Sequence, residues 1–198
     1  VPPSHMMLRV LANNDNVAFP WFAPAGTRRG VVDNATAVGY IDQATGEFEQ
    51  ISVTESVRDS MHEVQINPIT FFSGAGIMNF GNLTKVATSN TSALDRINVR
   101  RMMIFVKKQI SIFANSILFD QNVEVTWNRF KSLANPFLAS VQTRLGLSDY
   151  KLILDKTTTT PDLVDRNIVY AKIFLKPARA IEYIVVDFII TRTGADFA

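Results

Sequence analysis

The sequence predicts a mixed α/β fold of the α+β kind: a sheet of a few strands with a C-terminal hairpin, packed against two long helices and completed by strands from neighbouring copies. Three observations predict it. Two central segments, 93–118 and 124–145, repeat apolar residues at three- and four-residue steps, the period of a helix face. Beyond Asp149 the text changes to β-branched runs bounded by turn residues. The last run, Ile181 to Arg192, is apolar on both faces, so it lacks the alternation of a half-solvated strand and needs cover on two sides. It also exceeds the usual strand of about five or six residues, so part of it outreaches its own sheet and offers unpaired N–H and C=O groups to another chain.

Taken in order, Asn13 to Gly30 is irregular: Pro20, Pro24 and Gly26 prevent regular structure, and Phe19, Trp21 and Phe22 pin the segment onto a core. Val38 to Ile41 and Glu47 to Val53 read as short strands around the turn-rich Asp42 to Gly46. Thr54 is placed to N-cap a helix over Glu55 to Val64, which Asn67-Pro68 stops. Ile69 to Phe72 and Gly76 to Phe80 are short extended pieces; the Gly-x-Gly between them lacks the rest of a phosphate loop and reads as a tight turn.

Ser92 and Asp95 form an S-x-x-D box ahead of the first long helix, Ala93 to about Leu118. Val99, Met103, Val106, Ile110, Phe113 and Ile117 make its apolar stripe, and Leu94, Phe105 and Ile112 a second apolar group away from it. Such a helix is enclosed on more than one side, by its own fold or by a neighbour. The second helix, Glu124 to Leu145, offers Trp127, Phe130, Phe137, Leu138 and Val141 to the core, ends at Gly146, and should kink or split at Pro136. Strands follow at Tyr150 to Leu154, Ile168 to Leu175 and Ile181 to Arg192, the last two forming a hairpin across Lys176 to Ala180.

With 198 residues the chain can fill one domain, the simpler reading, or two small ones. Its 47% apolar and 19% charged residues fit either a well-filled core or surface buried against copies of itself. A net charge of +2 gives no case for nucleic-acid binding. The absence of cysteine excludes a disulfide framework, a thiolate metal site and a cysteine nucleophile. No apolar run approaches the ~20 residues of a membrane span, so membrane insertion is not expected. The opening Val1 to Met6 is similar to a cloning remnant, so residues 1–11 are read as that remnant and a linker, leaving 12–198 as the domain and 181–198 as its C-terminal strand or arm.

Catalytic inventory is thin, and neither an enzyme nor a cofactor is expected. His5 and His62 cannot complete a triad or a two-histidine metal site. Asp149, Asp155, Asp162 and Asp165 do not match a calcium loop, and turn and capping roles suit them better. Cations flank the first long helix: Arg96, Arg100 and Lys107 on one side, Arg101 and Lys108 on another. They read as a solvated face or as a docking surface for an acidic partner.

Certain strings occur together in a telling order: Trp21-Phe22-Ala23-Pro24-Ala25-Gly26 with Arg29-Gly30, Asn67-Pro68-Ile69, Gly74-x-Gly76, Ala93-Leu94-Asp95-Arg96-Ile97-Asn98-Val99-Arg100-Arg101, Lys176-Pro177-Ala178-Arg179, Ile181-Glu182-Tyr183-Ile184 and Thr191-Arg192-Thr193-Gly194. In these the chain resembles, from about Ala12 to Ala198, the C-terminal inner portion of contractile tail sheath proteins of myovirus-type bacteriophages. The resemblance implies a mechanical role: a sheath subunit, in stacked and hexameric rings, polymerises helically around a tail tube and contracts to drive that tube through the host envelope. Expected partners are other copies, the tail tube protein, the baseplate and the tail terminator. The expected location is the virion tail, after assembly in the bacterial cytoplasm. A tailocin, an extracellular injection system or a type VI secretion sheath is the alternative, and a monomeric binding module a third. The resemblance also implies strand exchange between subunits, with Ile184, Val185, Val186, Phe188, Ile189, Ile190 and Thr191 as the strand, and tube-facing or inter-subunit charge at Arg100, Arg101, Lys107 and Lys108.

Overall fold

The computed structural model describes residues 1–85 and 92–186. The elements run α1 (Pro3–Val17), α2 (Gly26–Arg29), β1 (Gly39–Ile41), β2 (Phe48–Gln50), α3 (Glu55–Glu63), β3 (Ile69–Phe72), β4 (Gly76–Asn79), a 3-10 turn (Ala93–Asp95), α4 (Ile97–Asn115), α5 (Glu124–Thr143), β5 (Leu147–Ile153), α6 (Pro161–Asp165) and β6 (Lys172–Pro177). Helices and strands mix as expected, but among the described residues the strands form three separate two-stranded antiparallel sheets.

The main layer is α4 and α5 against the β5–β6 hairpin. Trp21, Val99, Met102, Val106, Leu138, Val141 and Leu147 form its centre, and Trp127, Phe130, Ala134 and Leu154 extend it towards the far end of α5. Burying apolar side chains of this size contributes roughly 1.5–3 kcal/mol each, so this layer dominates the fold's stability. The expected stripe of α4 holds, with Met103, Ile110 and Phe113 half-buried against these clusters, and Ile117, just past the helix end at Asn115, packs there too. Met102 rather than Met103 is the fully buried methionine. The second apolar group stays partly open: Leu94 is 36% exposed, Phe105 37% and Ile112 52%.

Local chemistry shifts several boundaries. The Ser92 hydroxyl accepts the Leu94 N–H at 3.3 Å and so caps the 3-10 turn. Arg96 is extended (ψ 138), and α4 begins only at Ile97. Helix α5 runs through Pro136. The ring lies on the exposed side, where water can serve the carbonyl that has lost its donor, while Ala134 and Leu138 on either side of it stay anchored in the core. At the end of α5 the left-handed residue is Leu145 (φ 64), and the Gly146 N–H returns to the Val141 carbonyl at 2.8 Å. Gly146 is required for a different reason. A Cβ there would stand 2.7 Å from Val141 Cγ1 and 2.9 Å from Trp21 Cδ2.

The C-terminal hairpin differs from the sequence expectation. β6 pairs with β5, Leu152 opposite Ile173 and Tyr150 opposite Leu175, and it runs on through Lys176-Pro177, the expected connection. Residues 168–171 are withheld from the strand because the Thr159 hydroxyl holds both the N–H (3.0 Å) and the carbonyl (3.2 Å) of Tyr170. Chain economy explains the exchange of partners: the threonine loop and α6 turn the chain back beside β5, the strand nearest in sequence. Ile181 to Val186 form no strand among the described residues, and Asp187 to Arg192 lie outside them.

The N-terminal half forms a smaller layer. A linker over residues 1–11 is not what the structure has: they enter α1, whose Val10 is buried with Val32 and Ile77. β1 and β2 pair around the expected Asp42 turn, where Asp42 Oδ1 accepts the Ala44 N–H at 3.0 Å. α3 starts after Thr54 as expected, although the Thr54 side chain makes no capping bond. β3 and β4 form a hairpin whose turn carries Gly74 and Gly76 at φ 79 and 82, a region that favours glycine.

Candidate interaction surfaces

Beyond β6 the chain crosses a cleft of about 1100 Å³ between α3, the Trp21 to Gly26 loop and the Phe80 to Leu83 segment. One ion pair fixes it there. Arg96 donates to both carboxylate oxygens of Glu182, Nε at 2.7 Å and Nη2 at 2.8 Å, and also faces Asp95 at 3.3 Å. The Glu182 hydrogen bond, against the opposing effect of desolvation, holds the Arg96 guanidinium above its ordinary pKa. Next in sequence, Tyr183 meets His62 edge to face with ring centroids 6.5 Å apart. From there the chain is open: Ile184 is 80% exposed, Val185 87% and Val186 62%. These are three consecutive β-branched residues, exposed and without a ladder partner among the described residues. The other residues expected to exchange, Phe188, Ile189, Ile190 and Thr191, lie outside the described residues.

The platform beneath this root is built by the Trp21 loop and a set of buried asparagines. Trp21 stacks on Phe19 at 4.7 Å, meets Phe105 edge-on, and donates its indole N–H to the Arg144 carbonyl at 2.8 Å, capping α5. The Asn67 amide mimics a ladder partner, accepting the Leu83 N–H and donating to the Leu83 carbonyl, both at 2.8 Å. Asn79 donates to the Pro24 and Gly81 carbonyls, while Asn82 donates to Asn98, which donates in turn to the Trp21 carbonyl. These amides replace ladder bonds where the backbone is irregular, and so set the direction of Arg96. Sequence reasoning passed over Asn79 and Asn82. The available signal was asparagine recurring beside Pro and Gly in otherwise apolar strings, as in Asn79-Phe80-Gly81-Asn82.

The four cations singled out on α4 separate into unlike groups. Arg101 is ion-paired to Asp15 of α1 at 2.5 Å and ties α1 to α4. Arg100 is exposed, with Nε held by the Leu94 carbonyl at 3.1 Å. Lys107 and Lys108 are exposed and have no ion-pair partner among the described residues.

Of the candidate chemical groups, His62 packs on Tyr183, Asp149 lies within β5, Asp155 holds the turn that follows it, and Asp162 and Asp165 lie in α6. Hydrogen bonds from the Thr157 hydroxyl and N–H hold the Asp155 carboxyl below its usual pKa. Asp162 faces Arg166 one helical turn on. Among the described residues no group of three His, Asp or Glu side chains could hold a metal ion, and no helix is long and apolar enough to cross a membrane.

Comparison with known proteins gives a consistent result. The tail sheath protein of Vibrio phage KVP40 is 35% identical over all of this chain, and that of Enterobacteria phage T4 is 34% identical. The chain spans 28% of the length of each. A contracted sheath complex of an extracellular contractile injection system, PVC, superposes with a TM-score of 0.77 at 25% identity, over 96% of this chain and 51% of that one. A chain in the baseplate structure of the anti-feeding prophage shares the fold at a TM-score of 0.80 and 22% identity, with 96% of this chain and 51% of that chain covered. The family model for the phage tail sheath C-terminal domain matches residues 89–191, which hold α4, α5, the β5–β6 hairpin and the Glu182 root, and the chain belongs to that family.

Proposed function

We propose that this chain is the self-assembling C-terminal part of a contractile phage tail sheath subunit. Its role is mechanical: copies polymerise as stacked, hexameric rings in a helical sheath around the tail tube, between baseplate and tail terminator, and contraction drives the tube through the host envelope. The observation that carries this reading is the open Ile184 to Val186 run, rooted by Glu182 on Arg96, in a chain whose β5–β6 hairpin has, among the described residues, an outer edge on each strand without a ladder partner. Each of these is incomplete alone, and a strand from one copy laid on the edge of another completes both. Ile184, Val185, Val186, Phe188, Ile189, Ile190 and Thr191 are assigned to that strand. A net gain of about 0.5–1.5 kcal/mol per hydrogen bond accumulates along it, enough to hold a lattice while compact cores move.

Relatives at 34–35% identity are phage sheath proteins, which favours a virion tail, assembled in the host cytoplasm, over a free-standing injection device. Electron microscopy of the full-length subunit expressed alone tests the reading. Tubular polymers are expected; a subunit that stays monodisperse when concentrated would overturn it.

A further inference from the structure

Two helices carry exposed rows of opposite charge that make no ion pair among the described residues. On α3, Glu55, Asp59 and Glu63 recur every four residues, all exposed, with no ion-pair partner among the described residues. Spacing of four keeps them on one face, over about 12 Å of helix. On α4, Arg100 and Lys107 share one exposed face and the exposed Lys108 borders it about 100° round the helix, the three spanning about 12 Å. Exposed apolar surface accompanies both rows. Ile104 (66% exposed) and Ile112 lie among the cations of α4, and Ile181 and Tyr183 line the cleft with the acids of α3.

We infer that the α4 face docks on the α3 face of a second copy. This rests on the sheath reading above and names the surface through which neighbouring compact bodies meet, apart from any exchanged strand. Charge complementarity selects the occupant: a basic face and an acidic face of similar length, each with exposed apolar side chains beside it, suit one another. The faces belong to different elements of the same chain, so the contact is head-to-tail. Such a contact propagates into a ring or a helix instead of closing as a two-fold dimer. Within one copy the rows do not meet, since no ion pair joins α3 to α4 among the described residues.

The test uses charge reversal in the full-length subunit. One variant carries Asp59→Lys and Glu63→Lys, the other Lys107→Glu and Lys108→Glu; all four positions are exposed, and circular dichroism confirms folding. Each variant alone is expected to need at least about tenfold more protein to polymerise at low salt, with the defect shrinking as ionic strength rises. Mixing the two restores assembly, because each reversed row then meets its complement. Parental assembly of either variant, or no rescue on mixing, overturns the inference while leaving the sheath reading intact. So does a defect in the lysine variant alone that shows only with tail tube present, which would assign that face to the tube. A parental subunit that never polymerises overturns both readings.

Discussion

Replacing Trp21 tests whether an irregular, proline-flanked loop is a structural keystone. Its side chain is only 5% exposed, sits among Val99, Met102 and Leu138, and caps α5 through the Arg144 carbonyl. Phenylalanine keeps the stack on Phe19 but loses that hydrogen bond, about 1 kcal/mol, and roughly 40 Å² of buried ring, about another 1 kcal/mol. Trp21→Phe is therefore expected to cost about 2 kcal/mol. Trp21→Ala also opens a cavity between α4 and α5 and should cost about 4 kcal/mol. In a chain of this size those losses lower the Tm by about 4–8 °C and 8–16 °C. Urea titration followed by Trp127 emission reads both variants, because the second tryptophan lies in the other half of the core. An alanine variant within about 1 kcal/mol of the parent would refute the assignment of this loop to the core.

Gly146→Ala should destabilise by about 1–3 kcal/mol, since its methyl group would press on Val141 and the Trp21 ring; an unchanged denaturation midpoint would contradict the close approach. Glu182→Ala should release the C-terminal root. A partly exposed pair of this kind contributes up to about 1 kcal/mol, so tryptic cleavage after the exposed Arg179 should speed up by roughly two- to fivefold, and equal rates would show that the pair anchors nothing. Asp155 has a folded-state pKa below its unfolded one, so its contribution is present above about pH 4 and is lost as pH falls through the folded value. Protection of the Thr157 to Thr159 amides should therefore persist at pH 5 and disappear in stronger acid, and Asp155→Asn should remove that pH dependence.

Helical periodicity is local and strong, so α4 and α5 were legible, with Val99, Val106, Trp127, Phe130, Leu138 and Val141 all reaching the core. Strand partners were not, because pairing depends on where the chain returns. Two Thr159 hydrogen bonds withhold residues 168–171 from the strand, and β6, expected to form a hairpin with Ile181 to Arg192, pairs with β5. The exposed root was legible in part. An overlong apolar run at Ile181 signalled surface in need of cover, and Ile184 to Val186 are exposed, but the Arg96–Glu182 pair joins residues 86 positions apart and leaves no trace in local pattern. Charge pattern says nothing of the partner of Arg101, which shares a periodic basic face with Lys108 yet is paired with Asp15, on a helix that runs into the Asn13 to Gly30 segment expected to be irregular.

Amide hydrogen exchange across residues 184–191, in free full-length subunit and in assembled polymer, tests the central claim most directly. Strand donation predicts fast exchange in the free subunit and protection by at least a hundredfold after assembly, with matching protection on one edge of the β5–β6 hairpin. Equal exchange in both states, or full protection already present in the free subunit, would contradict it.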